Sequence, residues 1–320
     1  PTMGEEWRRG WHPERVPAAP QAASLLLVGG GPAGLEAALT LARRGHRVTL
    51  AAAENQLGGR LLREASLPGL QNWIRVRDYR AGQLAQLENV DIYLESRLDT
   101  AEIAEFDADH VVLATGSRWR RDGLGHNLRR PLANLDAANV YTPDDLFAGA
   151  VLSGEVLIYD DDHYFMAGAL AEQLLQSARR VRYVSPAASI SSWTAMTNEQ
   201  DFIQRRLLSM GIETAFGQLA AALDGQCFVT RCVYSGAITE HDFDQLLLVT
   251  SRVPEDRLFS SLEPSRTTRI GDCLVPSSIA DAVYAGHRFA REFGEQSSTL
   301  SPRRERSRLL PLASREEIPS

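Results

Sequence analysis

The chain has 320 residues, of which 44% are hydrophobic and 23% are charged, with 24 glycines and 15 prolines. This composition is typical of a globular protein and excludes a disordered, collagen-like or coiled-coil chain. A net charge of -7 argues against a nucleic-acid-binding protein, because such proteins present basic faces. All 34 basic residues are arginine, and the lack of lysine excludes Schiff-base chemistry on a lysine.

Cysteine content and hydropathy limit where the protein can work. Three cysteines, at positions 227, 232 and 273, are too few and odd in number for a secreted disulfide framework. A reducing, cytoplasmic location is therefore expected. No apolar run reaches the 18 residues that a membrane span needs, and no signal peptide is recognised. The length favours two domains over a single core.

Predicted strands and helices alternate along the chain. Residues 1–21 are polar and proline-rich, and we interpret them as a connecting arm that forms no element of its own, with Trp7 and Trp11 packed on another surface. Residues 296–320 are predicted to be a mobile tail. Between them we predict strands at 25–28, 47–50, 91–94, 110–114, 156–159, 181–184, 227–234 and 244–250, and helices at 33–44, 72–88, 165–177, 198–210 and 279–293.

A glycine-rich turn joins the first predicted strand to the first predicted helix. Its sequence, Gly29-Gly30-Gly31-Pro32-Ala33-Gly34, has the G-x-G-x-x-G pattern in the strand–turn–helix context that nucleotide binding requires. Gly29 permits the tight turn, Gly31 lets the backbone approach a pyrophosphate, and Gly34 lets the helix pack closely on the strand. The helix N-terminus would then bind the phosphates. The alternative is a glycine turn without a ligand.

The acid that holds ribose hydroxyls in such sites is missing from its usual position. It is expected about 20 residues after the turn, at the end of the second strand. That position is Ala52, within Ala51-Ala52-Ala53, and Glu54 follows two residues later. We expect Glu54 to take part of this role.

Several further segments resemble one flavoprotein family, that of trimethylamine dehydrogenase, dimethylamine dehydrogenase and 2,4-dienoyl-CoA reductase. The arm at 4–14 resembles the stretch that follows the last iron–sulfur cysteine of these enzymes. Leu57-Gly58-Gly59-Arg60 resembles their Gly-Gly step beside the pyrophosphate, and Ala114-Thr115-Gly116 resembles a strand end that passes the dinucleotide. Ile270-Gly271-Asp272 resembles the Gly-Asp motif that returns to it.

The resemblance implies an α/β fold with two Rossmann-like, three-layer domains, the second inserted in the first. The dinucleotide-binding domain would comprise residues 22–150 and 253–295, and the inserted, degenerate NAD(P)-type domain residues 151–252. The chain would match the C-terminal half of the family, without its N-terminal (β/α)8 barrel, so that Pro1 is interpreted as a cut point. The resemblance implies cofactor contacts at Gly29, Gly31, Pro32, Ala33, Gly34, Glu54, Gly58, Gly59, Arg60, Ala114, Thr115, Gly116 and Asp272.

The family also implies the activity and the partners. The first domain would bind FAD or ADP, and the missing barrel would carry FMN and a 4Fe-4S cluster. The implied reaction is oxidative N-demethylation of a small methylated amine or amino acid, with electrons passed to an electron-transferring flavoprotein. A homo-oligomer is implied, with no nucleic-acid partner and with no catalytic or metal-binding residue in this chain.

The second half decides between branches of the family. Its first strand leads into Asp160-Asp161-Asp162 where a dinucleotide site would have glycines. Three carboxylates would repel a pyrophosphate, so we expect no NAD(P)H binding there. Ser251 stands where a second dinucleotide-binding motif would have glycine, which also argues against NAD(P)H binding. The turn at Asp160-Asp161-Asp162 resembles that of trimethylamine dehydrogenase. Two alternatives stay open: an NAD(P)H-dependent flavin reductase and a non-catalytic ADP-binding module.

Three smaller features have modest interpretations. Cys227 and Cys232 have the spacing of a redox pair but lie five apart in a predicted strand, where they face opposite sides. Histidines 163 and 287 are interpreted as structural. Trp73, Arg75 and Tyr79 form either a docking surface for an electron carrier or a contact between domains.

Overall fold

The computed structural model describes residues 1–135, 139–177 and 180–295, apart from the side chains of Trp7 and Arg8; the predicted tail lies outside these residues. Its strands are β1 (Ser24–Val28), β2 (Arg47–Ala51), β3 (Val90–Tyr93), β4 (His110–Leu113), β5 (Ser117–Trp119), β6 (Val140–Tyr141), β7 (Glu155–Asp160), β8 (Arg180–Ser185), β9 (Glu213–Phe216), β10 (Gln218–Asp224), β11 (Cys227–Cys232), β12 (Ile238–Asp242), β13 (Gln245–Val249), β14 (Arg252–Pro254) and β15 (Thr267–Arg269). Its α-helices are α1 (Glu5–Arg8), α2 (Pro32–Arg43), α3 (Arg60–Glu64), α4 (Ile74–Leu84), α5 (Thr100–Glu105), α6 (Pro143–Phe147), α7 (Phe165–Gln176), α8 (Gln200–Ser209) and α9 (Ile279–Glu292).

Two five-stranded parallel sheets organise the chain. The first has the order β15-β4-β1-β2-β3 and the second the order β6-β13-β7-β8-β9. Strands β10, β11 and β12 form an antiparallel sheet, and β5 pairs with β14. We call the layers around the first sheet the first unit and those around the second sheet the second unit. The first sheet takes strands from both sides of the second unit, as a nested arrangement requires; the exact domain boundaries stay a prediction.

Each sheet is covered on both faces, which is why the interior residues of its central strand, 25–28 in β1 and 156–159 in β7, are apolar and buried. In β1, Leu25 and Leu27 pack under α2 and α9, whereas Leu26 and Val28 face α5 and the segment 258–262. In β7, alternate residues pack against α7 on one face and against the antiparallel sheet on the other. Both units therefore have three layers.

A buried ionic cluster joins α2, α4 and α9. The Glu36 carboxylate accepts a hydrogen bond from Arg80 Nε at 2.6 Å and lies 2.8 Å from His287 Nδ1. Arg291 Nε donates to the other ring nitrogen of His287 at 3.1 Å. Burial opposes the charge on Glu36, but His287 and Arg80 more than compensate and lower its pKa. The cluster fixes the three helices on one face of the first sheet, in agreement with a structural role for His287.

The two units meet through an apolar contact. Leu67 and Leu70 are buried in the same core cluster as Phe165 and Leu170 of α7. Trp73 packs edge-to-face on Phe165, with ring centroids 5.3 Å apart. Trp73 is therefore part of the contact between units, and it is not free to serve a docking surface.

Some elements differ from those predicted. The arm is not devoid of structure, because Glu5–Arg8 forms one helical turn with two acidic residues at its N-terminus, where they favour a helix. Trp11 lies below the Arg9 guanidinium, 4.7 Å from it, as expected of a packed aromatic side chain. The helix predicted at 72–88 starts as a 3-10 turn at Gln71–Trp73 and ends at Leu84.

Replacing Glu36 should test the ionic cluster. Glu36→Ala leaves the Arg80 guanidinium buried without its counter-charge and His287 Nδ1 without its carboxylate partner, and we expect a loss of about 3–5 kcal/mol in the free energy of unfolding. Because the folded-state pKa of Glu36 is lowered, its contribution is present at neutral pH and is lost as the pH falls below the ordinary glutamate pKa. Denaturant unfolding at pH 7 and pH 4 measures both effects. The exposed Glu88→Ala is the control, and equal stability of the two variants at pH 7 would contradict the assignment.

Candidate nucleotide-binding site

A cleft of about 770 Å³ opens at the carboxyl ends of the strands of the first sheet. This edge, beside the central strand, is where open parallel sheets bind ligands. The predicted cofactor-binding residues that line it are Gly29, Gly31, Pro32, Ala33, Glu54, Gly59, Arg60, Ala114, Thr115, Gly116 and Asp272. The remaining two, Gly34 and Gly58, lie behind this lining and support it.

Two glycines of the turn serve close packing. Gly29 has φ of 120°, and its N–H donates to the Ala51 carbonyl at 2.8 Å, so that β1 and β2 end side by side. A Cβ on Gly29 would fall on the Ala114 carbonyl, and a Cβ on Gly34 would fall on the Gly29 carbonyl. No other residue type fits at these two positions without moving the backbone.

Gly31 differs from Gly29 and Gly34 because the position that a Cβ would take on it faces open space. A Cβ there would meet no atom within 4 Å, and the residue is extended, with φ of -77°. Gly31 is the N-cap of α2 and Pro32 follows at the first helical position, so the first N–H groups of the helix lack partners within it. The Gly58-Gly59 step closes the opposite side, since Gly58 N–H donates to the Gly30 carbonyl at 2.8 Å. This cradle has the shape and the dipole direction that suit a pyrophosphate.

The end of β2, where ribose hydroxyls would be held, has an unusual charge pattern. Ala52 is buried and lies against Gly30, and it brings no acid to the cleft. Glu54 is half-exposed, and its carboxylate pairs with Arg63 at 3.3 Å. The loop after β3 is tied to this strand end, because Ser96 N–H donates to the Ala52 carbonyl at 2.8 Å.

A charged cluster lies at the opposite end of the cleft. Arg60 pairs with Asp144 at 2.8 Å, and Arg252 pairs with Asp272 at 2.5 Å. Asp272 also accepts a hydrogen bond from Ser117 Oγ at 2.8 Å. Burial raises the pKa of Glu64, which lies below Arg60. The predicted contact residues Arg60 and Asp272 are thus held in fixed orientations by neighbouring charges.

The second unit fills the corresponding position with its own chain. Asp161 follows β7, and its carboxylate accepts hydrogen bonds from the backbone N–H groups of Asn127 and Leu128 and from the Asn127 side chain, at 2.8–3.1 Å. Gly125 touches the same carboxylate so closely that a Cβ there would overlap it. An anion that is already bound by backbone N–H groups excludes a second one. The segment 125–128 therefore lies against the turn after β7, and the absence of NAD(P)H binding there stays a prediction.

The neighbours of Asp161 have shifted pKa values. Burial, reinforced by the nearby charge of Asp160, raises the pKa of Asp162 to about 7. Burial opposes the charged form of His163, but its contact with Asp161 and the adjacent carboxylates raise its pKa overall. The turn is therefore an internal ionic cluster of the second unit.

Neither the cysteines nor the acidic residues form a metal site in the described part of the chain. Within those residues no group of three or more His, Cys, Asp or Glu side chains is placed to hold a metal ion. Cys227 and Cys232 lie at the two ends of β11, opposite Asp242 and Gln218, and all three cysteines are free thiols. Among the same residues, no helix combines the length and the apolar character needed to cross a bilayer.

Arginines at positions 63, 97, 252 and 257 line the cleft but are not among the predicted site residues. Arg97 follows a strand that the sequence does predict, and the carboxyl ends of parallel strands share one edge. That rule could have found it. Arg252 is brought to the cleft by strand β14, which pairs with β5, and the sequence has no clear signal that predicts this pairing.

The two kinds of glycine in the turn should respond differently to substitution. Gly29→Ala forces a Cβ onto the Ala114 carbonyl at positive φ, and we expect a loss of about 2–4 kcal/mol in stability. Gly31→Ala adds a methyl group in open space and should change stability by less than about 0.5 kcal/mol. Thermal unfolding of the two variants without added nucleotide compares them directly, and equal melting temperatures would contradict this geometry.

Neutralising Asp162 should stabilise the protein at high pH. Because the folded-state pKa of this carboxyl is about 7, the wild-type protein loses stability as the pH rises from about 4 to 7 and no further above that. Asp162→Asn removes this loss, and we expect it to be more stable than wild type at pH 8, by about 4 kcal/mol, but not at pH 4. Denaturant unfolding across this range is the measurement. A pH-independent difference, like that expected for the exposed Asp107→Asn, would contradict it.

Comparison with known proteins places the chain among oxidoreductases. Residues 23–145 match the family described as pyridine nucleotide-disulphide oxidoreductase. The chain is 34% identical to dimethylamine dehydrogenase of Hyphomicrobium sp. (strain x), over 91% of this chain and 44% of that enzyme. It is 41% identical to the structure of histamine dehydrogenase from Rhizobium sp. 4-9, with a TM-score of 0.89 over 93% of this chain and 48% of the other. It is also 41% identical to 6-hydroxypseudooxynicotine amine oxidase from Pseudomonas geniculata N1, with a TM-score of 0.88 over 91% and 45% of the two chains.

The chain thus spans about half the length of the relatives it matches. The similarities confirm the predicted α/β fold of Rossmann-like units and the resemblance to amine dehydrogenases. They also agree with two further predictions: that the cofactor is a dinucleotide or its ADP part, and that the chain is part of an oxidoreductase. The chain is therefore similar to the amine dehydrogenases represented by dimethylamine dehydrogenase over about half of their length, in agreement with the C-terminal half that the sequence predicts.

Proposed function

We propose that this chain is the nucleotide-binding portion of an amine-oxidising flavoenzyme, and that its cleft binds an ADP moiety, either in FAD or as ADP. One observation carries the proposal: the N-terminus of α2 faces the cleft, and Gly31 leaves the backbone there open to a ligand. A phosphate group is the ligand best matched to a helix N-terminus approached through glycine.

The remaining lining fits the other parts of such a ligand. Adenosine would extend along the ends of β2 and β3, where small side chains at 51–53 leave room. Past the turn, the cleft continues beside Thr115 and Gly116 to Ser278 and Ile279. FAD would use this second stretch for its ribityl and flavin groups, whereas ADP would end before it. Both ligands share the contacts at the glycine turn.

The activity of the whole enzyme is proposed from its relatives. Dimethylamine dehydrogenase and histamine dehydrogenase both act on small amines, as their names state. We infer oxidation of a small amine, of which oxidative N-demethylation is one case. The family resemblance implies an FMN and a 4Fe-4S cluster in a barrel outside this chain, which would supply hydride acceptance and one-electron transfer. None of the described residues of this chain is assigned a catalytic step.

The partners follow from the same inference. An electron-transferring flavoprotein would accept the electrons, and the enzyme would work as a homo-oligomer in the cytoplasm. The unpaired thiols of all three cysteines support a reducing compartment. The self-filled turn at Asp161 supports an electron carrier rather than NAD(P)H as the redox partner, because a dinucleotide would have to displace the segment 125–128.

Nucleotide release and titration test the binding proposal. The purified chain is denatured and the supernatant is analysed by chromatography and absorption, and the unliganded chain is titrated calorimetrically with FAD, ADP and NADPH. We expect FAD or ADP to bind with one-to-one stoichiometry and NADPH to show no binding at the second unit. Gly31→Val fills the cradle and should weaken FAD or ADP binding at least tenfold with an unchanged melting temperature.

Each possible result has one reading. A yellow protein that releases FAD supports a redox role for this portion, and a colourless one that releases ADP supports a structural role for the nucleotide. Failure of both FAD and ADP to bind would overturn the proposal. NADPH binding that survives Gly31→Val but is lost when Asn127 is changed would contradict the self-filled turn.

A further inference from the structure

The charged cluster at the far end of the cleft contains one more carboxyl group than guanidinium groups. Five ionisable side chains from both units line the cleft there: Arg60, Glu64, Asp144, Arg252 and Asp272. Arg60 pairs with Asp144 at 2.8 Å. Arg252 pairs with Asp272 at 2.5 Å. These two ion pairs balance each other in charge, and Glu64 is the acid that remains.

Glu64 is buried in this cluster without a hydrogen bond. The residue is 7% exposed, and its ion-pair contact is Arg60 Nε, 4.0 Å from the carboxylate. The Arg60 guanidinium donates instead to Asp144 and to the Ser117 carbonyl. Within the described part of the chain, no donor makes a hydrogen bond to the Glu64 carboxylate. A buried carboxyl group that lacks hydrogen bonds is more stable neutral than ionised.

The charges around Glu64 do not compensate for its burial. Burial raises the pKa of Glu64, and the carboxylates of Asp272 and Asp144 act in the same direction. The guanidinium groups of Arg60 and Arg252 oppose this rise in pKa but offset only part of it. These four groups come from α3 itself, from α6, from β14 and from the turn that contains Asp272. A further negative charge at this end of the cleft would favour the protonated form of Glu64 still more.

The phosphate cradle at Gly31 lies close to Glu64. A Cβ on Gly59 would be 3.3 Å from the Gly31 Cα, so the start of α3 lies against the cradle. Glu64 is the last residue of this helix, four residues after Arg60, and four residues of helix span about 6 Å. A phosphate at Gly31 would therefore bring its negative charge within about 10 Å of the Glu64 carboxyl group. Buried charges at such distances are screened less than exposed ones.

We propose that nucleotide binding in this cleft is coupled to protonation of Glu64, which takes up a proton from solvent as the phosphates enter. The inference rests on the proposed nucleotide-binding function of the cleft. The charge of the phosphates would repel a Glu64 carboxylate, and a proton on Glu64 removes this repulsion. By linkage, a carboxyl group whose pKa rises on binding makes the ligand bind more tightly as the pH falls. The affinity of the cleft for its nucleotide is thus regulated by pH through one side chain.

Calorimetric titration of the full chain in buffers that differ in ionisation enthalpy tests the coupling. The dependence of the binding heat on the buffer gives the number of protons taken up per ligand. FAD and ADP are the probes, each measured from pH 5 to pH 8. The pyrophosphate of FAD keeps a constant charge over this range, so proton uptake with FAD reports on the protein. We expect net uptake and an affinity that falls by about tenfold from pH 5 to pH 8.

Variants assign the effect to Glu64. Glu64→Gln has the same shape but cannot titrate, and we expect it to lose the proton uptake and to bind at pH 8 as tightly as wild type binds at pH 5. Glu255→Gln is the matched control, since Glu255 lines the same cleft but pairs with Arg257 at 2.5 Å. It should keep the wild-type uptake. Asp162→Asn should keep it too, because this carboxyl group faces Arg252 from the second unit but is not among the residues that line the cleft.

Two further measurements keep the test independent of one variant. Glu64→Met, a neutral side chain of similar length, repeats the comparison if the amide variant does not fold. Infrared difference spectra of the wild-type protein, recorded on addition of the ligand, report protonation directly. We expect a carboxylic acid band to appear in wild type and to be missing from both Glu64 variants.

The outcomes separate this inference from the proposed function. If FAD or ADP binds with the same proton uptake in wild type and in Glu64→Gln, Glu64 is not the coupled group and the inference is overturned while the nucleotide site stands. If Glu64→Gln weakens binding at every pH, Glu64 acts as a carboxylate, which also overturns the inference. If neither FAD nor ADP binds at any pH, the function proposed for the cleft fails first.

Discussion

The position of α2 depends on close contacts in which a glycine replaces any side chain. Gly34 of the helix rests on the carbonyl of Gly29, and Gly286 of α9 rests on the carbonyl of Ala33. Gly271 approaches the Ala33 methyl group so closely that its own Cβ would lie 2.6 Å away. Because backbone touches backbone on two sides, the helix cannot shift along the sheet without a clash. The ionic cluster of Glu36 then fixes its orientation from the outer face.

This packing determines which part of the turn can face a ligand. Gly29 and Gly34 pack against other parts of the protein, and the Gly58 N–H donates a hydrogen bond to the Gly30 carbonyl. Of the glycines at 29, 31 and 34, Gly31 is the one at which a Cβ would meet no atom within 4 Å, and it lies at the end of a helix whose axis is already fixed. A binding surface made in this way is preorganised, so little ordering free energy is lost when an anion arrives. Gly29 and Gly34 thus support the turn, and Gly31 is the residue predicted to contact a ligand.

The sequence predicts the parts of this structure that follow local rules. The apolar run at 25–28 and the glycine turn identify β1 and α2, because a strand buried on both faces and a G-x-G-x-x-G turn both have short-range signatures. Strand β10 is not predicted from the sequence, because a bulge between Ala220 and Ala222 interrupts the alternation of inward- and outward-facing residues. In β12 only His241 is buried, so its composition looks like that of a surface loop. The contact of Asp161 with Asn127 joins residues 34 positions apart through irregular backbone, and no periodicity encodes it.

The two units share one strand topology but differ at the turn after the central strand, which is open to a cleft in the first unit and filled by an internal contact in the second. In both sheets the central strand is flanked in the same order, and each is followed by a turn and a helix. After β1 the turn has no side chains, and the helix N-terminus faces a cleft. After β7 the turn brings its own carboxylate, which the segment 125–128 binds through backbone N–H groups. The charge that a dinucleotide would supply in one unit is supplied by Asp161 in the other. The Asp161 carboxylate is thus a fixed part of the fold of the second unit, and Phe165 of the helix that follows contacts Trp73 of the first unit.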